Sequence, residues 1–213
     1  MKILLVSIYA ALVLIVLNAG CAGGVREGGP DDGARERAES VFRASFTHGN
    51  REMAAKVDKQ DEVQELCTRY RNEPPKELAE KIESTQAAAV RYPASGKFLG
   101  DWRQGEKIAQ DGYGLRFTDP DAKRPNGGGC YNCHRIAPAE ISYGTIGPSL
   151  YRFGALRGAG EPVQRYVYGK IYNSQAYLAC SQMPRFGHNG VLTEEQITHL
   201  VALLLDPESP VNK

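Results

Sequence analysis

Apolar positions are spread very unevenly along this chain of 213 residues. Residues 3–17 carry no charge and are almost wholly apolar, after a short positive start at Met1-Lys2. Residues 25–33 are rich in glycine and read as a linker. Helical spacing begins in residues 34–46, with Val41, Phe42 and Phe46 on one side. It is clearer over 51–71, where Met53 and Val57, then Val63, Leu66, Cys67 and Tyr70 recur with the helical period. Asn72 to Pro75 breaks that pattern. A proline is tolerated at a helix start, so a further helix is expected over 76–90 with Leu78, Ile82 and Ala89 on its apolar side. Asp101 opens another helix over 101–110, with Gln104 placed for a capping box, and Gly105 allows a second helix to approach closely. Residues 111–129 and 135–160 read as loops. A helix with a tyrosine-rich face (Tyr166, Tyr168, Tyr172) is expected over 162–172. The last helix has Thr193 as its cap with Gln196 in the reciprocal position. Ile197, Leu200, Val201 and Leu204 line it, and Asp206-Pro207 stops it. No strand pattern and no internal repeat is present.

These elements predict an all-α chain in three parts: a signal over 1–22, a linker and helical extension over 23–95, and a helical domain over 96–213. The extension has too few large apolar residues to fold alone, so it must pack on the following domain or on a partner. The signal has a positive start, an apolar run and a small-residue stretch at Asn18 to Ala22. Its run is shorter than the ~20 apolar residues of a membrane span. Two cleavage points fit. Cleavage before Cys21 produces a lipoprotein, because Ala19-Gly20-Cys21 has the form of a lipobox end, although Asn18 stands where a branched apolar residue is usual. Cleavage after Ala22 discards Cys21. A single lipidated terminus would tether the protein to a membrane without spanning it. The expected location is the periplasm, with or without that tether.

Net charge +1 and a pI near 7.6 give no sign of a nucleic-acid partner. Residues 111–190 are locally basic, with nine Lys and Arg against five acids. That excess suits either a solvated surface or a docking face for an acidic partner.

The candidate chemistry lies at Cys130-Tyr131-Asn132-Cys133-His134. Two cysteines two residues apart with a histidine next form the attachment sequence of a c-type haem. Cys130 and Cys133 would hold one covalent haem c, and His134 would bind its iron from one side. A zinc site needs about four ligands, usually from a second Cys or His pair, and no second pair exists. Export supports the haem reading, since such haem is attached outside the cytoplasm. For the sixth ligand, Met53 lies on the apolar side of an expected helix. Met183 lies in the short loop Ser181-Gln182-Met183-Pro184-Arg185, far enough after His134 to reach the opposite face. His188 is its main rival; His48 and His199 are others. Filled axial positions favour electron transfer over catalysis at the iron, and thioether ligation raises the reduction potential. A carbonyl should accept the Nδ1 proton of His134, and Pro148 in a stiff loop is the candidate. Of five cysteines, Cys67 and Cys180 then remain. They pair as a disulfide in an oxidising compartment, or Cys180 is a reactive thiol near the iron.

Four stretches together resemble SoxX, the monohaem subunit of the SoxAX cytochrome of bacterial sulfur oxidation. They are Cys130 to Ile136, Gly144-Thr145-Ile146-Gly147-Pro148-Ser149-Leu150, Met183-Pro184-Arg185-Phe186-Gly187, and Asp206-Pro207-Glu208-Ser209-Pro210-Val211-Asn212. The resemblance covers residues 98–212. It implies a class I cytochrome c fold whose first and last helices cross near Gly105, with His134 and Met183 as axial ligands. It implies a SoxA-like haem partner that holds the bond-forming site, where thiosulfate is joined oxidatively to a cysteine of the SoxYZ carrier. The present chain would relay the electrons to a downstream cytochrome and would itself have no catalytic residue. A free cytochrome c shuttle and a haem sensor or peroxidase are the competing readings.

Overall fold

The structure, a computed structural model, describes residues 32–45, 59–114, 116, 119 and 123–213. The signal with Cys21, most of the linker, His48 and Met53 lie outside the described residues. The helices are α1 (Asp32–Ser45), α2 (Glu62–Arg69), α3 (Lys76–Ala88), α4 (Trp102–Gln110), α5 (Phe153–Arg157), α6 (Glu161–Tyr172) and α7 (Glu194–Leu205). Short 3-10 turns occur at Cys130–Asn132, Ser174–Ala176 and Pro210–Asn212. No strand occurs among the described residues, so the chain is all-α there. No described helix is long and apolar enough to cross a membrane.

Helix α7 is the centre of the domain because it is apolar nearly all round, and such a helix must be buried. Ile197, Leu200, Val201, Leu203, Leu204 and Leu205 are all buried. Each such side chain contributes about 1.5–3 kcal/mol relative to exposure. The expected capping box starts it: Thr193 Oγ1 accepts from the Gln196 N–H at 3.2 Å, and Gln196 Oε1 accepts from the Thr193 N–H at 3.0 Å. The chain end closes it. Asn212 Nδ2 donates to the carbonyls of Leu204 and Asp206 at 3.1 and 2.8 Å, and Ser209 Oγ donates to that of Leu203 at 2.5 Å. Carbonyls that the last turn leaves unpaired are thus satisfied.

Helix α4 crosses α7 at Gly105, where a Cβ would lie 2.1 Å from the His199 carbonyl oxygen. Asp101 caps α4 as expected, accepting from the Arg103 N–H at 2.9 Å. The reciprocal bond from Gln104 is absent. The Asp101 N–H that it needs already donates to His199 Nδ1 at 2.8 Å, so the crossing overrides the local box. Helix α5 lies in a stretch that sequence alone assigns to loop. Its Gly154 abuts α7, with a Cβ position 2.8 Å from the Leu204 carbonyl oxygen, and Ala155 N–H donates to Asn212 Oδ1 at 3.0 Å. Its five residues are held by that contact rather than by propensity.

Among the described residues of the extension, helix is absent just before α2. Lys59 to Asp61 is not helical, and α2 starts at an Asp61/Gln64 capping box with both bonds at 2.9 Å. Of the helix expected over 51–71 the described part is therefore Glu62–Arg69, and residues 51–58 lie outside the described set. Helices α2 and α3 form a satellite cluster of Cys67, Ile82 and Cys180. No buried residue of the main core comes from either helix. The Cys67–Cys180 disulfide, spanning 113 residues of chain, joins the extension to the segment after α6. Asp61 adds an ion pair with the buried Arg185. Partial burial pushes the Asp61 carboxyl up, but the Arg185 guanidinium and the Gln64 N–H outweigh it and hold it below its ordinary range.

Two outcomes follow from these contacts. Gly105→Val should cost about 3 kcal/mol in urea unfolding, because α4 must move away from the α7 backbone; a loss under about 0.5 kcal/mol would show that the helices do not cross there. A carboxyl with a depressed folded pKa stabilises above its ordinary pKa and loses that contribution as pH falls through the folded value. Asp61→Asn should therefore melt below the wild type near pH 7, and the two melting curves should converge below about pH 3.

Candidate functional site

The candidate site starts at the C-terminal end of α4, to which the next loop is fastened by backbone bonds. Gly128 N–H donates to the Ile108 carbonyl and Gly129 N–H to that of Asp111, both at 2.8 Å. A side chain at Gly127 would meet the Asp111 carbonyl oxygen at 1.9 Å, so only glycine passes this close. Gly129 has φ +54°, in the left-handed region that glycine adopts without strain. The chain then enters the Cys130–Asn132 turn. The N–H groups of Cys133 and His134 both point back to the Cys130 carbonyl, at 3.2 and 3.0 Å. One turn thus carries both thiols and the imidazole.

A second loop runs beside that turn. Gly144 N–H donates to the Tyr131 carbonyl at 2.8 Å, Gly147 N–H to that of Cys133 at 2.9 Å, and Leu150 N–H to that of Arg135 at 2.8 Å. This register brings the Pro148 carbonyl oxygen 2.7 Å from His134 Nδ1. A carbonyl only accepts, so Nδ1 carries the proton and Nε2 presents a lone pair. Gly147 leaves the ring its space, since a Cβ there would lie 2.2 Å from His134 Cε1. The sequence singles out Pro148 for this bond. The close pass of Gly147 is a feature that sequence reasoning missed, and its position one residue before Pro148 is the signal that carried it.

The two cysteine pairs differ. Cys67 and Cys180 are joined, and Cys130 and Cys133 are free thiols. Burial pushes the Cys130 thiol up to about 12, with Cys133 adding to the shift. The thiolate is the nucleophile of thiol–disulfide exchange, so this shift makes Cys130 a weak one. Among the described residues no three His, Cys, Asp or Glu side chains gather to hold a metal ion. The donor set of the turn, two thiols and one imidazole with an available Nε2, fits a c-type haem. Among the described residues three buried side-chain atoms have no hydrogen-bond partner: Tyr131 Oη in the turn itself, Tyr168 Oη and Gln175 Oε1.

The other candidates separate. Met183 lies on the segment after α6 and packs partly buried against the same main core as Cys130. Its carbonyl accepts from Ser174 Oγ at 2.5 Å, and its N–H donates to Ser181 Oγ at 3.3 Å. His188 is exposed, and its backbone N–H donates to the Tyr172 carbonyl at 3.0 Å. His199 is occupied at the α4–α7 crossing through Nδ1.

No family model matches the chain. It is 38% identical over 158 residues to an uncharacterized lipoprotein of Aquifex aeolicus strain VF5, and the match covers 72% of this chain and 73% of that protein.

Gly147→Ala should break the His134–Pro148 contact and lower stability in urea unfolding by about 1–3 kcal/mol, as overpacking does. Gly112→Ala is the control, since its Cβ meets nothing nearer than 3.9 Å. Equal effects of the two substitutions would mean that the Gly147 contact does not constrain the ring.

Proposed function

We propose that this chain, which belongs to one family with the uncharacterized lipoprotein of Aquifex aeolicus, is an exported, lipid-tethered c-type cytochrome that passes single electrons. The observation that carries the reading is the turn from Cys130 to His134, with Nδ1 of His134 bound to the Pro148 carbonyl and Nε2 left available. The relative's description as a lipoprotein supports lipidation of Cys21 and attachment to an envelope membrane, facing the periplasm. A c-type haem, when bound, supplies reversible one-electron chemistry at its iron. In this reading Cys130 and Cys133 hold the haem as thioethers. His134 is the proximal ligand, fixed in tautomer and orientation by Pro148, and Met183 is the sixth. The crossing of α4 and α7 at Gly105 supports a class I cytochrome c arrangement.

The specific assignment is a SoxX-like subunit, with a SoxA-like haem protein as its stable partner. Thiosulfate joining to a carrier thiol forms a sulfur–sulfur bond and releases two electrons and the thiol proton. That bond forms on the partner. This chain accepts the electrons one at a time and passes them to a downstream cytochrome, with the SoxYZ carrier as a transient contact. The exposed Ile141 and Ile146 beside the His134 turn support a docking face there.

The mature protein from native membranes should show a mass increase of one haem and a Soret band, both lost in Cys130→Ser with Cys133→Ser. A second haem-bearing chain should co-purify, and thiosulfate conjugation to a SoxYZ-type carrier should require both chains. Absence of the haem mass and Soret band overturns the cytochrome reading. Haem without the second chain, and without an effect on conjugation, leaves a free electron shuttle. Rapid carbon monoxide binding by the reduced wild type at neutral pH would instead indicate an iron with an open position, as in a sensor or peroxidase.

A further inference from the structure

Met183 sits in a segment gripped on both sides by helices that contribute nothing to the buried main core. On its N-terminal side Cys180 is bonded to Cys67 of α2, and the Ala179 N–H donates to Glu83 Oε1 of α3 at 2.9 Å. Cys180 itself has φ +57°, a conformation that side-chain-bearing residues keep only when their surroundings impose it. On the C-terminal side Arg185 is 4% exposed, and its guanidinium meets the carboxylate of Asp61, the cap of α2. Arg185 Nη1 also donates to Gln86 Oε1 of α3 at 3.3 Å. The same Gln86 oxygen accepts from Asn173 Nδ2 at 3.0 Å, just after α6. The grip therefore closes over residues 173–185, with Met183 inside it.

A purely stabilising extension would add apolar surface to the core. Here the buried apolar contribution of α2 and α3 is a small separate cluster, and the contacts that reach the domain are a disulfide, an ion pair and directional hydrogen bonds. Such contacts fix geometry more than they add stability, because a buried guanidinium loses much of its pairing energy to desolvation.

We propose that the α2–α3 extension is the positioning element for the sixth ligand. Asp61, Gln86 and the Cys67–Cys180 disulfide hold the Met183 segment so that the thioether stays on the iron. The proposal rests on the haem reading above. It makes Asp61 and Gln86 positioning residues that act through Arg185, and the disulfide a second, independent fastening.

The test uses the full-length, haem-loaded protein and compares wild type, Asp61→Asn, Asp61→Glu and Cys67→Ser with Cys180→Ser. The readouts are the thioether-to-iron(III) charge-transfer band and the rate of carbon monoxide binding to the reduced protein. Asp61→Asn and the double cysteine variant should weaken the band and bind carbon monoxide about tenfold faster, the scale of outer-shell effects on a metal site. Asp61→Glu should restore both signals, and all variants should keep the covalent haem mass. Should the cysteine variant not fold, reducing the disulfide in the wild type gives the same comparison through the carbon monoxide rate. An unchanged band and a rate within about twofold of wild type would overturn the positioning role. A wild type that carries haem but shows no thioether band would overturn Met183 ligation and this proposal with it. A wild type with no haem would overturn the cytochrome reading itself.

Discussion

At Gly105 two helices pass with no room for a side chain, and the candidate site takes its position from that contact. Helix α7 is held at both ends, by its capping box and by Asn212 and Ser209 at the other terminus. Helix α4 is pinned against it by the backbone-to-imidazole bond between Asp101 and His199 as well as by the glycine. From the far end of α4 the Ile108 and Asp111 carbonyls fix the glycine loop, the loop delivers Cys130, and the turn delivers His134. Each step is a backbone hydrogen bond, and buried backbone groups must be paired somewhere. The placement of the imidazole is therefore a consequence of main-chain geometry, with Pro148 as its last element.

The Met183 side is built differently. There the restraints are side chains and a disulfide brought in from an extension with little core of its own. The disulfide contributes about 2–4 kcal/mol by restricting the unfolded chain. Burying the Arg185 guanidinium costs several kcal/mol, which its partners only offset. The extension thus adds less to stability than its number of contacts suggests. The imidazole is set by backbone contacts and the Met183 segment by removable side-chain contacts, so the second is the easier to displace.

Much of this was legible in the sequence where one local rule was enough. The Thr193 and Asp101 caps and the close pass at Gly105 follow from residue type and spacing, while the Cys67–Cys180 pairing is one of two readings the sequence allows and Pro148 a candidate acceptor. The failures share a cause. The Gln104 bond is lost because His199, far away in sequence, takes the donor. Helix α5 exists because Gly154 lies on α7, a contact invisible to periodicity. The start of α2 was readable, since Asp61 and Gln64 form a capping box, but the apolar period running through residues 57 and 63 masks it. Arg185 looks like one more surface charge until Asp61 and Gln86 are brought to it from over a hundred and about a hundred residues away. Where a position depended on a distant partner that no residue type marks, as a spare cysteine marks its mate, no spacing rule could reach it.

The same logic bears on the free thiols. Cys67, Cys130, Cys133 and Cys180 allow three two-bond pairings, and in an oxidising compartment spare thiols tend to be consumed. Cys67 and Cys180 are consumed, each fixed by its own helix or loop. Cys130 and Cys133 lie on one tight turn, and burial keeps the Cys130 thiol protonated. A protonated thiol is a poor nucleophile in exchange. The pair that remains lies on the same turn as an imidazole whose Nε2 lone pair is available. In the cytochrome proposed above, the same short turn would present both sulfurs and the imidazole to one haem.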